Sequence, residues 1–296
     1  MIKTGGGAFD PHEEPIYFPA ANASMMRIGP EFFTHVLTAI NDLETPEDIA
    51  RIENFISKGI KVFVDSGVFN LTNEHMRAHG CTMDEALALA PEQIDGFDKL
   101  FTRYVAIVRQ LDARCWGYIE LDQGGRENKK RTRAKLEAMG LRPIPVYHPL
   151  NDGWDYFDEL AENYDRICFA NIVQASTPTR LRLLATMWER HRKYPHLWIH
   201  VLGLTPNRFM AAFPANSCDS STWVGGVRWG QSHEFAALKT FGQLGAEFIS
   251  PLGAKDKEYE TLIRVDCTKY SMLGRSWRNM MRDLRANGLD IYGMAK

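Results

Sequence analysis

The amino-acid sequence predicts an α/β fold built on a mainly parallel sheet, and two observations carry that prediction. Short apolar runs rich in branched and aromatic residues recur along the chain, and longer stretches of helical periodicity separate them. The candidate strands number roughly eight, the count that closes a barrel. In chain order they are Ile16–Pro19, Lys61–Asp65, Trp116–Leu121, Pro143–Tyr147, Arg166–Ile172, Leu197–Leu202, the segment leading to Asp219, and Ala246–Ser250. This order predicts a (β/α)8 TIM-type barrel in one domain, with a doubly wound open sheet as the alternative.

The helices announce themselves by their starts. Thr45-Pro46-Glu47-Asp48 supplies an N-cap, a proline at the first helical position and acids in the first turn of a helix running to Lys58. Thr177-Pro178 opens a second over Ser176–Lys193, and Thr205-Pro206 a third. Their flanking sequences differ, so the device is reused capping chemistry, not an internal repeat. Near the C-terminus Arg275, Arg278, Arg282 and Arg285 recur at three- and four-residue steps, with Trp277, Met280, Met281 and Leu284 on another face. That pattern predicts a docked helix showing arginines outward. Residues 1–14, with Gly5-Gly6-Gly7, are expected to be mobile, and residues 15–296 to form the barrel and its C-terminal helix.

Composition narrows the function classes. Of 296 residues, 45% are hydrophobic and 24% charged, which supports a large core and excludes disorder for most of the chain. A net charge of −2 gives no global attraction to polyanions, so any nucleic-acid surface must come from local clusters. Cys81, Cys115, Cys168, Cys218 and Cys267 are scattered without paired spacing, which fits reduced thiols in a cytoplasm and neither a disulfide framework nor a zinc ribbon. No stretch of about 18 consecutive apolar residues occurs, and Met1–Asp10 has no apolar run, so neither a membrane span nor an export signal is expected. The motifs GxxxxGK, GxGxxG, GxSxG and HExxH are absent, which removes the usual arguments for nucleotide hydrolysis, dinucleotide binding, serine hydrolysis and zinc proteolysis. His75, His79 and Cys81 have metal-ligand spacing without an evident fourth ligand, and read as surface histidines with no metal.

In parallel α/β folds ligands bind at the carboxyl ends of strands, so acids that terminate apolar runs are the candidate site. Lys61-Val62-Phe63-Val64-Asp65-Ser66-Gly67 ends in an acid followed by a small, turn-permitting pair. Tyr118-Ile119-Glu120-Leu121-Asp122-Gln123-Gly124-Gly125 has the same form. Asn216-Ser217-Cys218-Asp219-Ser220-Ser221-Thr222 gathers small polar side chains round one carboxylate. Each acid also suits a capping or turn role. His148, at the end of Pro143–Tyr147, reads either as a substrate contact or as a turn histidine.

Asp65-Ser66-Gly67-Val68-Phe69-Asn70 resembles the Asp-Ser-Gly-Gly-Phe/Tyr-Gln motif of the tRNA-guanine transglycosylases. Leu121-Asp122 is similar to that family's Phe-Asp segment, which reads the base, and Ser217-Cys218-Asp219 to its Phe-Asp-Cys segment, which carries the nucleophile. His200-Val201-Leu202-Gly203-Leu204-Thr205-Pro206 resembles the Met-Gly-Val-Gly-x-Pro stretch ahead of it, and all four occur in the family's order. The similarity spans Val62 to Trp223 and is thin between motifs. The tRNA enzymes carry a Cys-x-Cys-x-x-Cys…His zinc site near the C-terminus, whereas only Cys267 follows Asp219 here. A zinc-free member without that C-terminal subdomain resembles the phage and bacterial branch that inserts 7-deazaguanines into DNA.

The resemblance implies a retaining base exchange that needs no cofactor. Asp219 is the implied nucleophile at the sugar C1′, and Asp65 the implied proton carrier. Asp122 accepts from the base edge, Phe69 stacks on the base, and Asn171 reads an exocyclic group. Ser66, Gly67 and Asn70 complete the substrate-binding motif. DNA is the implied polymer and tRNA the alternative, with a 7-deazaguanine as the small substrate; a silent nucleic-acid or deazapurine binder is a further alternative. Arg126, Lys129, Lys130 and Arg131, with Arg133 and Lys135, follow the Asp122 turn and read as a phosphate track together with Arg275, Arg278 and Arg282. A solvated helix face, diluted by Glu127 and Glu137, is the other reading of the first cluster.

Overall fold

The computed structural model of the chain describes residues 1–7, 9, 15–20, 34–205, 213 and 215–222. Among the described residues are the strands β1 (Ile16–Pro19), β2 (His35–Ala39), β3 (Lys61–Asp65), β4 (Gly117–Tyr118), β5 (Val146–Tyr147), β6 (Arg166–Phe169), β7 (Trp198–Val201) and β8 (Ser217–Ser220). The helices are α1 (Pro46–Ser57), α2 (Val68–His79), α3 (Met83–Ala88), α4 (Phe97–Leu111), α5 (Gly125–Ala138), α6 (Trp154–Asn163) and α7 (Thr177–His191). A five-stranded sheet has the order β1-β8-β7-β6-β5, and a three-stranded sheet the order β2-β3-β4. Every ladder is parallel. The chain therefore has the expected α/β class with parallel sheets. Isolated parallel bridges, Ala20↔Leu37 and Ile119↔Ile144, join the two sheets. At the second, Ile144 N donates to the Tyr118 carbonyl at 2.8 Å and Glu120 N to the Ile144 carbonyl at 3.0 Å.

Local chemistry explains the elements. Thr45 caps α1 reciprocally, its hydroxyl accepting from Asp48 N at 3.2 Å while Thr45 N donates to Asp48 Oδ2 at 3.0 Å. In α7 the cap is Ser176, one residue before the expected threonine, and Pro178 still sits in the first turn, where its missing N–H is harmless. β2 is a strand that the apolar runs did not announce, because His35 and Thr38 interrupt its pattern. Ala246–Ser250 and the arginine-striped helix lie outside the described residues.

Strand alternation sorts side chains between three cores. Val36, Val62 and Val64 pack with α1 and α4. Ile167, Ile199 and Cys218 pack with α6 and α7. Their neighbours on the opposite face, Phe18, Leu37, Phe63, Val146, Cys168 and Trp198, form a third cluster shared by both sheets. Aromatic edges meet faces there, with Phe63 and Trp116 centroids 4.9 Å apart.

Residues 2–7, expected to be mobile, are tied down at the start of the strands. Thr4 N and Oγ1 donate to Asp165 Oδ1 at 2.9 and 2.8 Å. The buried Arg166 guanidinium donates to Thr4 Oγ1, to the Thr4 and Gly5 carbonyls, and to the Trp116 carbonyl. A buried guanidinium demands such a set of acceptors, and the three glycines let the backbone approach to supply it. Removing residues 1–7 should strip most acceptors from Arg166 and lower stability by at least about 3 kcal/mol, read as a lower urea midpoint; an unchanged midpoint would show that the segment is not structural.

Candidate active site

The site is built from strand ends. Period-2 alternation in β3 puts Phe63 in the shared core and Asp65 on the same side, one step beyond it. The chain then turns through Ser66 and Gly67. Gly67 has φ 79°, a left-handed conformation that favours glycine, and a Cβ there would push the Asn41 side chain out of its place. Gly67 N donates to Asp65 Oδ2 at 3.3 Å, and Val68 N to Ser66 Oγ at 3.3 Å, which satisfies two donors at the start of α2. Ser66 Oγ also makes a long 3.5 Å bond to Asp122 Oδ1.

Asp122 follows β4 and is held from the far side by His148, whose Nε2 donates to Oδ2 at 2.9 Å. His148 is itself fixed through its backbone N, which donates to Asp152 Oδ2 at 2.9 Å. The same oxygen takes Lys129 Nζ at 2.5 Å, and that ammonium also donates to the Val146 carbonyl at 3.1 Å. Gln123, fully buried, donates to the Ala86 and Leu89 carbonyls and accepts from Thr72, which pins the Asp122 turn to α2 and α3.

Asp219 lies in β8 at the level of Phe18, with Ser217 on the same face two residues before it. Its Oδ1 accepts from His200 Nε2 at 3.1 Å and from Gly203 N at 2.9 Å. Gly203 sits at φ 73°, the left-handed region that turns its N–H back toward β8. His200 is buried between the edges of Phe18 and Phe63. Its Nδ1 meets Ser217 Oγ at 2.8 Å, and the same hydroxyl accepts from Trp198 Nε1 at 2.8 Å. A serine hydroxyl has one hydrogen to give, and giving it to Nδ1 leaves the hydrogen of neutral His200 on Nε2, aimed at the carboxylate. Among the described residues Oδ2 of Asp219 takes no hydrogen bond.

Asp65 lies in the field of the other two carboxyls. Burial first, then the charges of Asp122 and Asp219, push Asp65 up to about 7. Asp122 goes the other way: burial raises it, but the His148 hydrogen bond, His148 charge and Lys129 outweigh burial and leave it below its ordinary value. The thiol of Cys168 lies within the same field, and burial followed by Asp122, Asp219 and Asp65 raises it far enough to stay protonated. Cys168 is therefore no nucleophile at neutral pH. What remains is one carboxyl able to hold a proton near neutrality and, in Asp219, a carboxyl group whose Oδ2 takes no hydrogen bond from the described residues, an arrangement suited to acid-base and nucleophilic chemistry on one substrate.

The other expected site residues divide. Phe69 and Asn70 are exposed in the first turn of α2, beside Gly67. Asn171, just beyond β6, has φ 59° and donates from Nδ2 to Asn151 Oδ1 at 2.9 Å, which leaves its own carbonyl oxygen free of that bond. Lys129 is corrected from phosphate contact to buried support, since it is fully enclosed with Asp152. Arg133 is likewise buried on Glu120. Arg126 pairs with Asp155 and Glu159, Lys130 with Glu159 and Arg131 with Glu92, so the run meets acids in place. Arg275, Arg278 and Arg282 lie outside the described residues. His200 had no assigned role; a histidine breaking the apolar alternation of Trp198, His200 and Leu202 was the signal that could have found it. No family model matches the chain, and no curated protein matches it.

Two stability predictions follow from these charges. Lys129→Met should leave Asp152 buried without its cation and cost about 3–5 kcal/mol by denaturant unfolding, against under about 1 kcal/mol for Lys130→Ala; equal losses would place both lysines on the surface. For Asp65, folded and unfolded carboxyls are both protonated below its ordinary 3.8, so its contribution is fully present there and declines as pH rises through about 7. Asp65→Asn should therefore be more stable than the wild type at pH 8, on the order of 2 kcal/mol, with the gap closing toward pH 4. A gap independent of pH would mean that Asp65 titrates normally.

Proposed function

We propose that the eight strands close into a (β/α)8 barrel and that its carboxyl end exchanges a purine-type base in DNA by retaining glycosyl transfer. Closure is supported by the two bridges between the sheets, Ala20↔Leu37 and Ile119↔Ile144, which complete a cyclic order of neighbours. The observation that carries the reaction is the set of three aspartates from three strand ends with divided electrostatics. The polymer is carried by the motif resemblance, with DNA as the substrate proposed and tRNA as the alternative.

In this reading Asp219 Oδ2 attacks C1′ as the bond from C1′ to guanine breaks, and Asp65 delivers its proton to the departing base. An incoming 7-deazaguanine then returns a proton to Asp65 while its nitrogen takes C1′ back from Asp219, restoring the configuration. His200 and Gly203 hold Oδ1, which orients the attacking oxygen and spreads its charge. Asp122 stays ionised to accept from the base's N–H edge, and Phe69 offers an exposed ring for stacking. Arg126, Lys130 and Arg131 of α5 meet Asp155, Glu159 and Glu92, and Lys129 and Arg133 are buried, so the phosphate contacts are assigned chiefly to Arg275, Arg278 and Arg282.

The test is base exchange, with duplex DNA, single-stranded DNA or tRNA labelled in guanine and a panel of 7-deazaguanines, read by mass spectrometry. Wild type should release guanine from DNA and incorporate the analogue. Asp219→Asn should lose at least about 1000-fold, and Asp65→Asn about 100- to 10,000-fold. Guanine release should fall as pH rises through about 7, where Asp65 gives up its proton. Exchange in tRNA alone would move the substrate to the other polymer, and no exchange on any polymer would sink the enzymatic reading.

A further inference from the structure

The far end of α2 carries a second cluster of ligating side chains. His75 and His79 stand one turn apart on one face, with ring centroids 4.2 Å apart. Asp95, in the turn ahead of α4, faces both, its Oδ2 lying 2.8 Å from His79 Nε2 and 3.9 Å from His75 Nδ1. His75 is not the surface histidine its spacing suggested. It is 8% exposed, and its Nδ1 is buried with no hydrogen-bond partner among the described residues. An imidazole nitrogen sealed from water and aimed at a carboxylate beyond bonding distance is an unmet polar demand, which a bound cation would meet.

We propose that His75, His79 and Asp95 form a binding site for a zinc-class divalent transition-metal ion. The three ligand atoms lie within 4.8 Å of one another. Tetrahedral zinc holds its ligands about 3.3 Å apart, so closing the site takes a movement of an ångström or so. The side chains that must move can do so, since Asp95 is 78% and His79 51% exposed. Two imidazole nitrogens to one carboxylate oxygen select zinc, nickel, cobalt or copper over calcium and magnesium, and water would complete the fourth position. Cys81 is not among the ligands, although its spacing nominated it.

The ion would tie the end of α2 to the start of α4. From Val68 to the two histidines is roughly 10–16 Å of helix axis, so the ion sits away from the three aspartates and enters no step of the exchange. It would instead hold the helix whose first turn carries Phe69 and whose cap is Ser66-Gly67.

The experiment is a zinc titration of the metal-stripped full chain at pH 7.5 by calorimetry and thermal unfolding, beside His79→Ala and Asp95→Asn, whose exposed side chains leave the core intact. Wild type should take up zinc and gain about 5 °C in Tm at one hundred times Kd. Each variant should bind at least tenfold more weakly at this site, and zinc should shift the His75 and His79 ring resonances in a nitrogen-detected spectrum. Unchanged affinity and Tm response in both variants would overturn the proposal, as would an absence of zinc uptake by the wild type.

Discussion

Three carboxylates drawn into one partly buried field cannot all carry full charge, and much of the structure around the strand ends manages that conflict. Two aspartates receive a histidine each: His148 reaches Asp122 from the end of β5, and His200 reaches Asp219 from the middle of β7. Asp65 has no histidine partner among the described residues, accepting instead from backbone N–H groups of its own turn, and burial with the charges of Asp122 and Asp219 raises it to about 7. The division follows from which strand neighbours which. β7 pairs directly with β8, so a histidine in one can face an acid in the other, while the neighbour of Asp65 across the β2 ladder is Ala39, which has nothing to offer a carboxylate.

Support for this arrangement extends outward through a layer of buried ions. Lys129 holds Asp152, Asp152 holds the backbone of His148, and His148 holds Asp122, so a helix lysine is linked through three contacts to a strand-end acid. Arg133 does comparable work one turn further along α5, meeting Glu120 at 2.9 Å while Glu120 accepts from Val146 N at 2.7 Å. Such pairs gain little net stability over apolar replacements, but they fix geometry, because each charge tolerates only its partner's direction.

The acids at the ends of apolar runs were legible in the sequence because a strand's last residue is marked twice, by the run before it and by the small residues after it. Asp65, Asp122 and Asp219 share that mark, and the structure brings them into one field. Their histidine partners were not legible in the same way, since facing across a ladder depends on register, which a single chain does not print. β2 was missed because Thr38 and His35 look polar in a window and are strand residues only in company with β3. The acids that meet the basic run of α5, Glu92, Asp155 and Glu159, were not legible for a related reason: they are far from it in the sequence and reach it through the packing of α6 and the turn ahead of α4.

The pairing of β1 with β8 bears on how the chain assembles. Ile16 meets Ser217 and Phe18 meets Asp219, and the segment holding Thr4 must wait for Asp165 and Arg166. During synthesis the first strand therefore emerges some two hundred residues before its partner. Until β8 is made, β1 has only the bridge from Ala20 to Leu37 at the end of β2 to hold it. A ladder of such long sequence separation forms slowly, and Asp219 gains its setting only when β8 joins β1.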